Sequence, residues 1–351
     1  MNSTQRVLSS CEFRRPDRVA RFDSFWNYDE QWRRELGDEQ GLSDIAIWVP
    51  DEGAFATRAG VLKRQGLWTY SVNSWGQTIR TRDDAYFHEV IASPLGGLAD
   101  IEAVEFDPPD LDRRFLQRQA TLADAAQLLA AAKLRQCVFG KTGGPFLRSA
   151  FVRGQTQFLM DIAGDPPFAR ALAEKMADHL IAVGIEEIRR WDLRQTGIWI
   201  FDDMAFNGGP MFSPRSFEQV FMPAYRRMVK SFKAAGAKYV FLHSDGNIRP
   251  LLDMLADAGI DGINPLEPRA GMDIAEVRAS FPRLILVGGM DNCDTLINGP
   301  VEKIQAQARR IIDMARDGGT IIGAHSIGPD IPLKHFRAYH ETCLTYGDFS
   351  G

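Results

Sequence analysis

The chain has 351 residues, 45% of them hydrophobic and 25% charged, which is enough apolar surface for one large core. Its 41 Lys and Arg against 46 Asp and Glu leave a formal charge of −5, which excludes nucleic acid or an anionic membrane as partners held by bulk electrostatics. Cys11, Cys137, Cys293 and Cys343 are too scattered for a disulfide framework or an all-thiolate zinc site, and no run approaches the roughly 18 apolar residues of a membrane span or forms a secretion signal, so a reducing, cytoplasmic setting is expected.

In chain order, residues Thr4 to Phe13 predict a short helix that stops before Arg15-Pro16, because the residue before a proline is pushed out of the helical region. Phe25, Trp26, Tyr28 and Trp32 crowd an aromatic segment that reads as core, and Ile45 to Val49 is an apolar run. Leu67 to Val72, Thr78 to Arg82 and Tyr86 to Ile91 are brief β-rich pieces broken by Gly76 and Asp83-Asp84, which predicts a hairpin-bearing insertion. Ala120 to Leu134 is rich in alanine and leucine and predicts helix. The pairs Arg14-Arg15, Arg33-Arg34, Arg113-Arg114 and Arg189-Arg190 sit among carboxylates and read as solvated faces.

A regular rhythm follows. Cys137 to Gly140 predicts a strand, Lys141 to Pro145 a loop without the order of a phosphate loop, and the next stretch a long helical region to about Arg190. Further strands are expected at Gly197 to Phe201, Tyr239 to Leu242, Gly262 to Leu266, Leu284 to Val287 and Thr320 to Ile322, with helices at Ser216 to Ala235 and Val301 to Ala315 between them. Such alternation is that of a parallel α/β fold, and two upstream strands would complete a TIM-type (β/α)8 barrel. Residues 1–351 are expected to form one domain, with an N-terminal helical extension and hairpin insertion over about 1–110.

Chemistry in such a fold collects where strands end. The residues just past the apolar runs are Lys141, Asp202, Asp203, His243, Asp245, Glu267, Asp291 and His325. His243, Asp245 and His325 could hold zinc or another divalent metal with an open fourth position. Without a metal, His243 could serve as general acid or base oriented by Asp245 or Asp202. Of Asp202 and Asp203, one is expected to face substrate and the other to cap the following turn, since neighbouring residues of a strand point oppositely. His179, His335 and His340 read as packing residues.

The ordered set Arg15-Pro16-Asp17-Arg18-Val19, Ser74-Trp75-Gly76, Asp202-Asp203, Phe212-Ser213-Pro214, Phe217, Pro223, His243-Ser244-Asp245-Gly246, Gly288-Gly289-Met290-Asp291 and Ile327, Pro329, Pro332 resembles the uroporphyrinogen decarboxylase superfamily over nearly the whole chain. The resemblance implies a barrel with a deep cleft at its carboxyl face. It also implies either porphyrinogen decarboxylation or methyl transfer among corrinoid proteins, thiols, methyl ethers and folates. Decarboxylases of this kind carry an arginine-rich, glutamine-containing segment after the first motif and a Phe-Ser-Asp-Ile-like stretch. Here those places read Ala20-Arg21-Phe22-Asp23 and Tyr70-Ser71-Val72-Asn73-Ser74-Trp75. Thiol-methylating members bind zinc through His-x-Cys and a distant Cys, and the matching positions are His243, Asp245 and His325.

The expectation is therefore a methyltransferase-like enzyme moving a methyl group from a small methylated donor to a corrinoid protein or folate. Catalysis is expected from His243, Asp245 and Asp202, and substrate binding from Asp203, Glu267, Asp291 and Lys141. The alternatives are a decarboxylase of a tetrapyrrole or smaller carboxylate and a non-catalytic tetrapyrrole- or corrinoid-binding protein. The reading allows a homodimer.

Overall fold

A computed structural model describes residues 1–25, 35–36, 42–85 and 87–350. The expected aromatic cluster at Trp26, Tyr28 and Trp32, the pair Arg33-Arg34 and the strand start at Tyr86 lie outside the described residues.

The first strand, β1, is Ile45–Trp48, and four antiparallel strands follow it: β2 Gly60–Gln65, β3 Trp68–Val72, β4 Thr78–Arg82 and β5 Glu89–Ala92. The insertion is thus one strand larger than expected. Strand β2 escapes a hydropathy reading because it is exposed along its whole length and pairs through the tight Gly66-Leu67 turn. Next come β6 Cys137–Gly143, β7 Gly197–Phe201, the short hairpin β8 Ala205–Phe206 and β9 Gly209–Pro210, then β10 Tyr239–His243, β11 Gly262–Leu266, β12 Ile285–Met290 and β13 Thr320–Ala324.

Strands β1, β6, β7, β10, β11, β12 and β13 form one curled parallel sheet in that order. The expected closed ring of eight strands is corrected to an open, curled sheet of seven, whose ends β1 and β13 do not pair with each other. In the eighth place, residues 20–24 run along β13, with Phe22 N donating to Ile322 O at 2.9 Å and Ile322 N to Ala20 O at 3.0 Å. Toward β1 the Arg21 carbonyl accepts from Asp44 N at 2.9 Å and Arg21 N donates to Asp44 Oδ2 at 3.0 Å, contacts that define no strand register.

Alternation along each strand divides the apolar residues between two cores. Ile198, Ile200, Val240, Leu242, Leu286 and Ile322 face the surrounding helices. Phe139, Trp199, Phe241, Val287 and Ile321 face inward, where Val7 and Cys11 of the helix Ser3–Cys11 pack beneath them. The long helical region to Arg190 is three helices, Pro145–Arg153, Gln155–Gly164 and Pro166–Arg190, broken at Gly154 (φ 90°) and at Asp165 before two prolines. The helix Val301–Ala315 buries Ile304, Ala308, Ile311, Ile312 and Ala315, the face its spacing predicts.

Two expectations about charge come out differently. Arg189 and Arg190 do pair with Glu186 at the surface. Arg114 is instead buried and donates to the carbonyls of Asp51, Gly53, Asp107 and Pro108. No helix among the described residues is long and apolar enough to cross a membrane.

Candidate functional site

His243 is the last residue of β10 and continues the inward row of Tyr239 and Phe241. Its partners in register are Phe201 on β7 and Asn264 on β11. Those two side chains grip the imidazole: Phe201 stacks on it with centroids 4.2 Å apart and planes 18° from parallel, and Asn264 Oδ1 lies 2.7 Å from Nδ1. Asn264 Nδ2 donates to Val287 O at 3.2 Å, which turns the amide oxygen toward the ring. His243 Nδ1 must therefore carry the proton, and Nε2 presents a lone pair to the cleft.

Asp245 and His325 meet that lone pair. Asp245 Oδ1 stands 3.4 Å from His243 Nε2 and 2.9 Å from His325 Nε2, and the two imidazole centroids are 5.1 Å apart. His325 reaches the same side because it follows Ile321 and Gly323 in the inward alternation of β13. Burial, together with neighbouring His325, holds the His243 imidazole below its usual pKa. Burial opposes ionisation of the other two as well, but their mutual contact outweighs it, lowering Asp245 and raising His325.

These three residues fit a divalent cation. One donor atom from each lies within 4.8 Å of the other two. Donor atoms about 2 Å from a tetrahedral ion stand about 3.3 Å apart, close to the spacings here. The buried Asp245 Oδ1 and His325 Nδ1 have no well-aligned hydrogen-bond partner, and the bond from His243 Nδ1 to Asn264 Oδ1 fixes the ligating tautomer of His243.

The remaining expected residues divide. Asp203 Oδ1 accepts from Asp245 N at 3.2 Å and lies 3.9 Å from His243 Nε2, at the cleft. Glu267 Oε2 accepts from Gly246 N at 2.6 Å, holding the loop that carries Asp245, and burial raises its carboxyl pKa. Lys141 lies within β6 rather than in a loop, on the inward side after Phe139, and its Nζ sits 5.0 Å from the centre of the Phe201 ring. Burial lowers its pKa, against the pull of Glu52.

Asp202 and Asp291 are placed otherwise than expected. Asp202 follows Ile198 and Ile200 on the helix-facing side, and its carboxylate accepts from Phe146 N at 3.1 Å, Leu147 N at 2.6 Å and Tyr225 Oη at 2.7 Å. It caps the helix Pro145–Arg153 from within the core and, at 0% exposure, presents no oxygen to the cleft. Asp291 Oδ1 accepts from Cys293 N and Asp294 N at 2.9 and 3.0 Å, closing its own turn. His179 and His335 hydrogen-bond the carbonyls of Glu52 and Leu296 inside the fold, as packing residues do.

A cavity of about 450 Å³ opens beside His243, lined also by Phe22, Asp23, Ile45, Lys141 and Phe201. Asn264, Phe201 and Asp23 were not singled out by the sequence reading. A signal existed for Asn264, since an amide inside an otherwise apolar buried strand requires a partner.

A family model described as uroporphyrinogen decarboxylase (URO-D) matches residues 72–346. The chain belongs to the uroporphyrinogen decarboxylase family. Two relatives described as Methylcobamide:CoM methyltransferase MtaA, both from Methanosarcina barkeri, are 28% identical over 130 residues (strain Fusaro) and 30% identical over 131 residues. Each alignment covers 36% of this chain and 36% of the relative, so the match spans about a third of the length of these curated relatives. A solved methyltransferase from Methanosarcina mazei has the same fold, with a TM-score of 0.69, 16% identity and 99% of both chains covered. The family model thus shows the family, and the solved structure shows the fold.

Proposed function

We propose that this member of the uroporphyrinogen decarboxylase family is a methyltransferase. It moves a methyl group from a small methylated substrate to a corrinoid carried by a partner protein, with folate as the other acceptor chemistry, at a divalent metal centre built on a TIM-type barrel. The observation that carries the reading is the convergence of His243 Nε2, Asp245 Oδ1 and His325 at one point, with the His243 tautomer set by Asn264. Its support from relatives is that the MtaA proteins are named for methyl transfer from a methylcobamide.

His243, Asp245 and His325 would hold zinc or another divalent ion, which supplies Lewis acidity to the heteroatom bearing the methyl group. In the transfer, the bond between methyl carbon and heteroatom breaks, the carbon bonds to the acceptor's electron pair, and the heteroatom keeps its own pair and takes up a proton. A carboxylate and a second imidazole in place of two thiolates leave the ion less electron-rich, which suits an ether or amine donor better than activation of a thiol. Asp203 and Glu267 flank the three ligands and orient substrate, while Phe201 excludes water from one face of His243.

Decarboxylation of a polycarboxylate would call for several cations around the cleft. Among the described residues lining the cavity, Lys141 is the one cationic side chain.

The test is metal analysis joined to a transfer assay. Purified protein is expected to carry about one divalent ion per chain, and His243→Ala and His325→Ala to lose it. The loaded protein is expected to convert cob(I)alamin to methylcob(III)alamin with at least one of a panel of methyl ethers and N-methyl compounds. Full activity in metal-free His243→Ala protein would overturn the reading.

A further inference from the structure

The cavity beside His243 presents charge of one sign. Lys141, inward-facing on β6, lines it, and among the described residues no oxygen comes within hydrogen-bond or ion-pair reach of its Nζ. The carboxylates that act on Lys141 are committed elsewhere. Glu52 pairs with the buried Arg148 through Oε1 and accepts from Gly143 N through Oε2. Glu187 Oε2 accepts from Lys141 N at 3.0 Å, and burial raises its carboxyl well above the usual carboxylate range, so it adds no charge. Asp203 accepts from Asp245 N beside the metal ligands. Asp23 also borders the cavity, but its carboxylate is turned to the helix side, where Oδ1 accepts from Ala324 N and Tyr339 Oη, both at 2.9 Å, and Oδ2 is shut off from solvent. Much of the remaining wall is apolar, with Phe22, Ile45, Ile47 and Phe201. An ammonium without an acceptor beside such a wall is costly unless an anion on a ligand completes it.

We propose that this cavity binds an organic monocarboxylate with an apolar body of about one ring, its carboxylate on Lys141 and its body against Phe22, Ile45 and Ile47. A single cation among apolar walls matches a single negative charge on an apolar molecule. A neutral molecule leaves the ammonium unmatched, and a second carboxylate finds no cation to meet it. A hydrogen bond between ammonium and carboxylate is about twice as strong as one between neutral groups. The volume of about 450 Å³ suits a small organic molecule of this kind. The Phe201 ring touches both the Lys141 ammonium and the His243 imidazole, so a molecule anchored on Lys141 has its other end toward the metal ligands. The inference rests on the methyl-transfer reading only for the fate of the bound molecule, not for its binding.

The experiment is calorimetric titration of the intact, metal-loaded chain with benzoate and cyclohexanecarboxylate. Benzamide and cyclohexanecarboxamide serve as neutral isosteres, isophthalate as a dianion and acetate as an anion without the body. At least one of the two monocarboxylates is expected to bind roughly tenfold or more tightly than its amide, isophthalate and acetate. Lys141→Met should remove the preference for acid over amide with one ion per chain still bound, and Lys141→Arg should keep part of it. Should Lys141→Met fail to fold, Lys141→Gln and the comparison of acid with amide on the parent chain still decide. Equal binding of acid and amide, isophthalate binding as tightly as benzoate, or a preference that persists in Lys141→Met because the carboxylate rests on the metal overturns the proposal. Methyl transfer from a neutral donor, with Lys141→Met as active as the parent and no preference for acid over amide, overturns it while sparing the methyl-transfer reading. A carboxylate preference that Lys141→Met removes, without methyl transfer from any donor, does the reverse.

Discussion

Asn264 Oδ1 and His243 Nδ1 are 2.7 Å apart on adjacent strands at the same register, and the Asn264 amide is itself anchored to Val287 O. This pair decides which imidazole nitrogen faces the cleft. Asn264→Leu removes the acceptor and leaves His243 free to rotate or change tautomer. The variant is expected to lose about 10- to 100-fold in metal affinity, read by competition with a coloured chelator. It should also lose about 1–3 kcal/mol of stability, because buried donor and acceptor groups are left unpaired. Unchanged affinity would show that Asn264 does not set the His243 tautomer.

Asp202 is expected to matter for folding and not for the metal. Its carboxylate caps the helix Pro145–Arg153 and accepts from the buried Tyr225 hydroxyl. Loss of a cap costs about 0.5–2 kcal/mol and an orphaned buried hydroxyl about 1–3 kcal/mol. Asp202→Ala should accordingly unfold at lower denaturant, by about 1.5–5 kcal/mol in all, and still bind one ion per chain. An Asp202→Ala protein of normal stability that fails to bind the ion would return Asp202 to the site.

The contrast between Asp202 and His243 shows what was legible before the structure. Ionisable groups at the ends of apolar runs pointed to His243, Asp245 and His325, and those side chains do meet. Which of two adjacent residues enters the cleft depends on strand alternation counted from the core. Ile198 and Ile200 face the helices, so Asp202 does too, and Phe201 takes the inward place. In the sequence Lys141 reads as loop and the strand from Leu284 stops at Val287, before Gly288-Gly289, because lysine and glycine interrupt the apolar pattern. The parallel ladder continues through them, since backbone pairing does not require apolar side chains. Residues 20–24 give no strand signal at all, because their hydrogen bonds go to a partner about 300 positions away.

His340 supplies a pH dependence. Its Nδ1 accepts from Arg21 Nη1 at 2.7 Å, and burial together with the charges of Arg21 and Arg18 lowers its pKa to about 4. A histidine whose folded pKa lies below its unfolded value of about 6.5 contributes stability that is fully present above that value. The contribution is lost as pH falls from about 6.5 toward 4, because the unfolded chain takes up the proton first. In denaturant melts at pH 7.5 and pH 5, His340→Gln should lose less stability on acidification than the parent chain. Equal losses would mean that His340 titrates normally in the fold.

Phe201 is the remaining point of leverage, because one face of its ring carries His243 and its π-cloud also meets Lys141. Stacking of this kind contributes about 0.5–1.5 kcal/mol and a partly desolvated cation on a ring about 0.5–2 kcal/mol. Phe201→Leu keeps most of the apolar volume and removes both interactions. The metal should then bind a few-fold more weakly, since Asn264 still fixes the His243 tautomer. Calorimetric titration with the metal reads the effect. A loss as large as that of Asn264→Leu would mean that the ring positions His243 as strongly as the amide does.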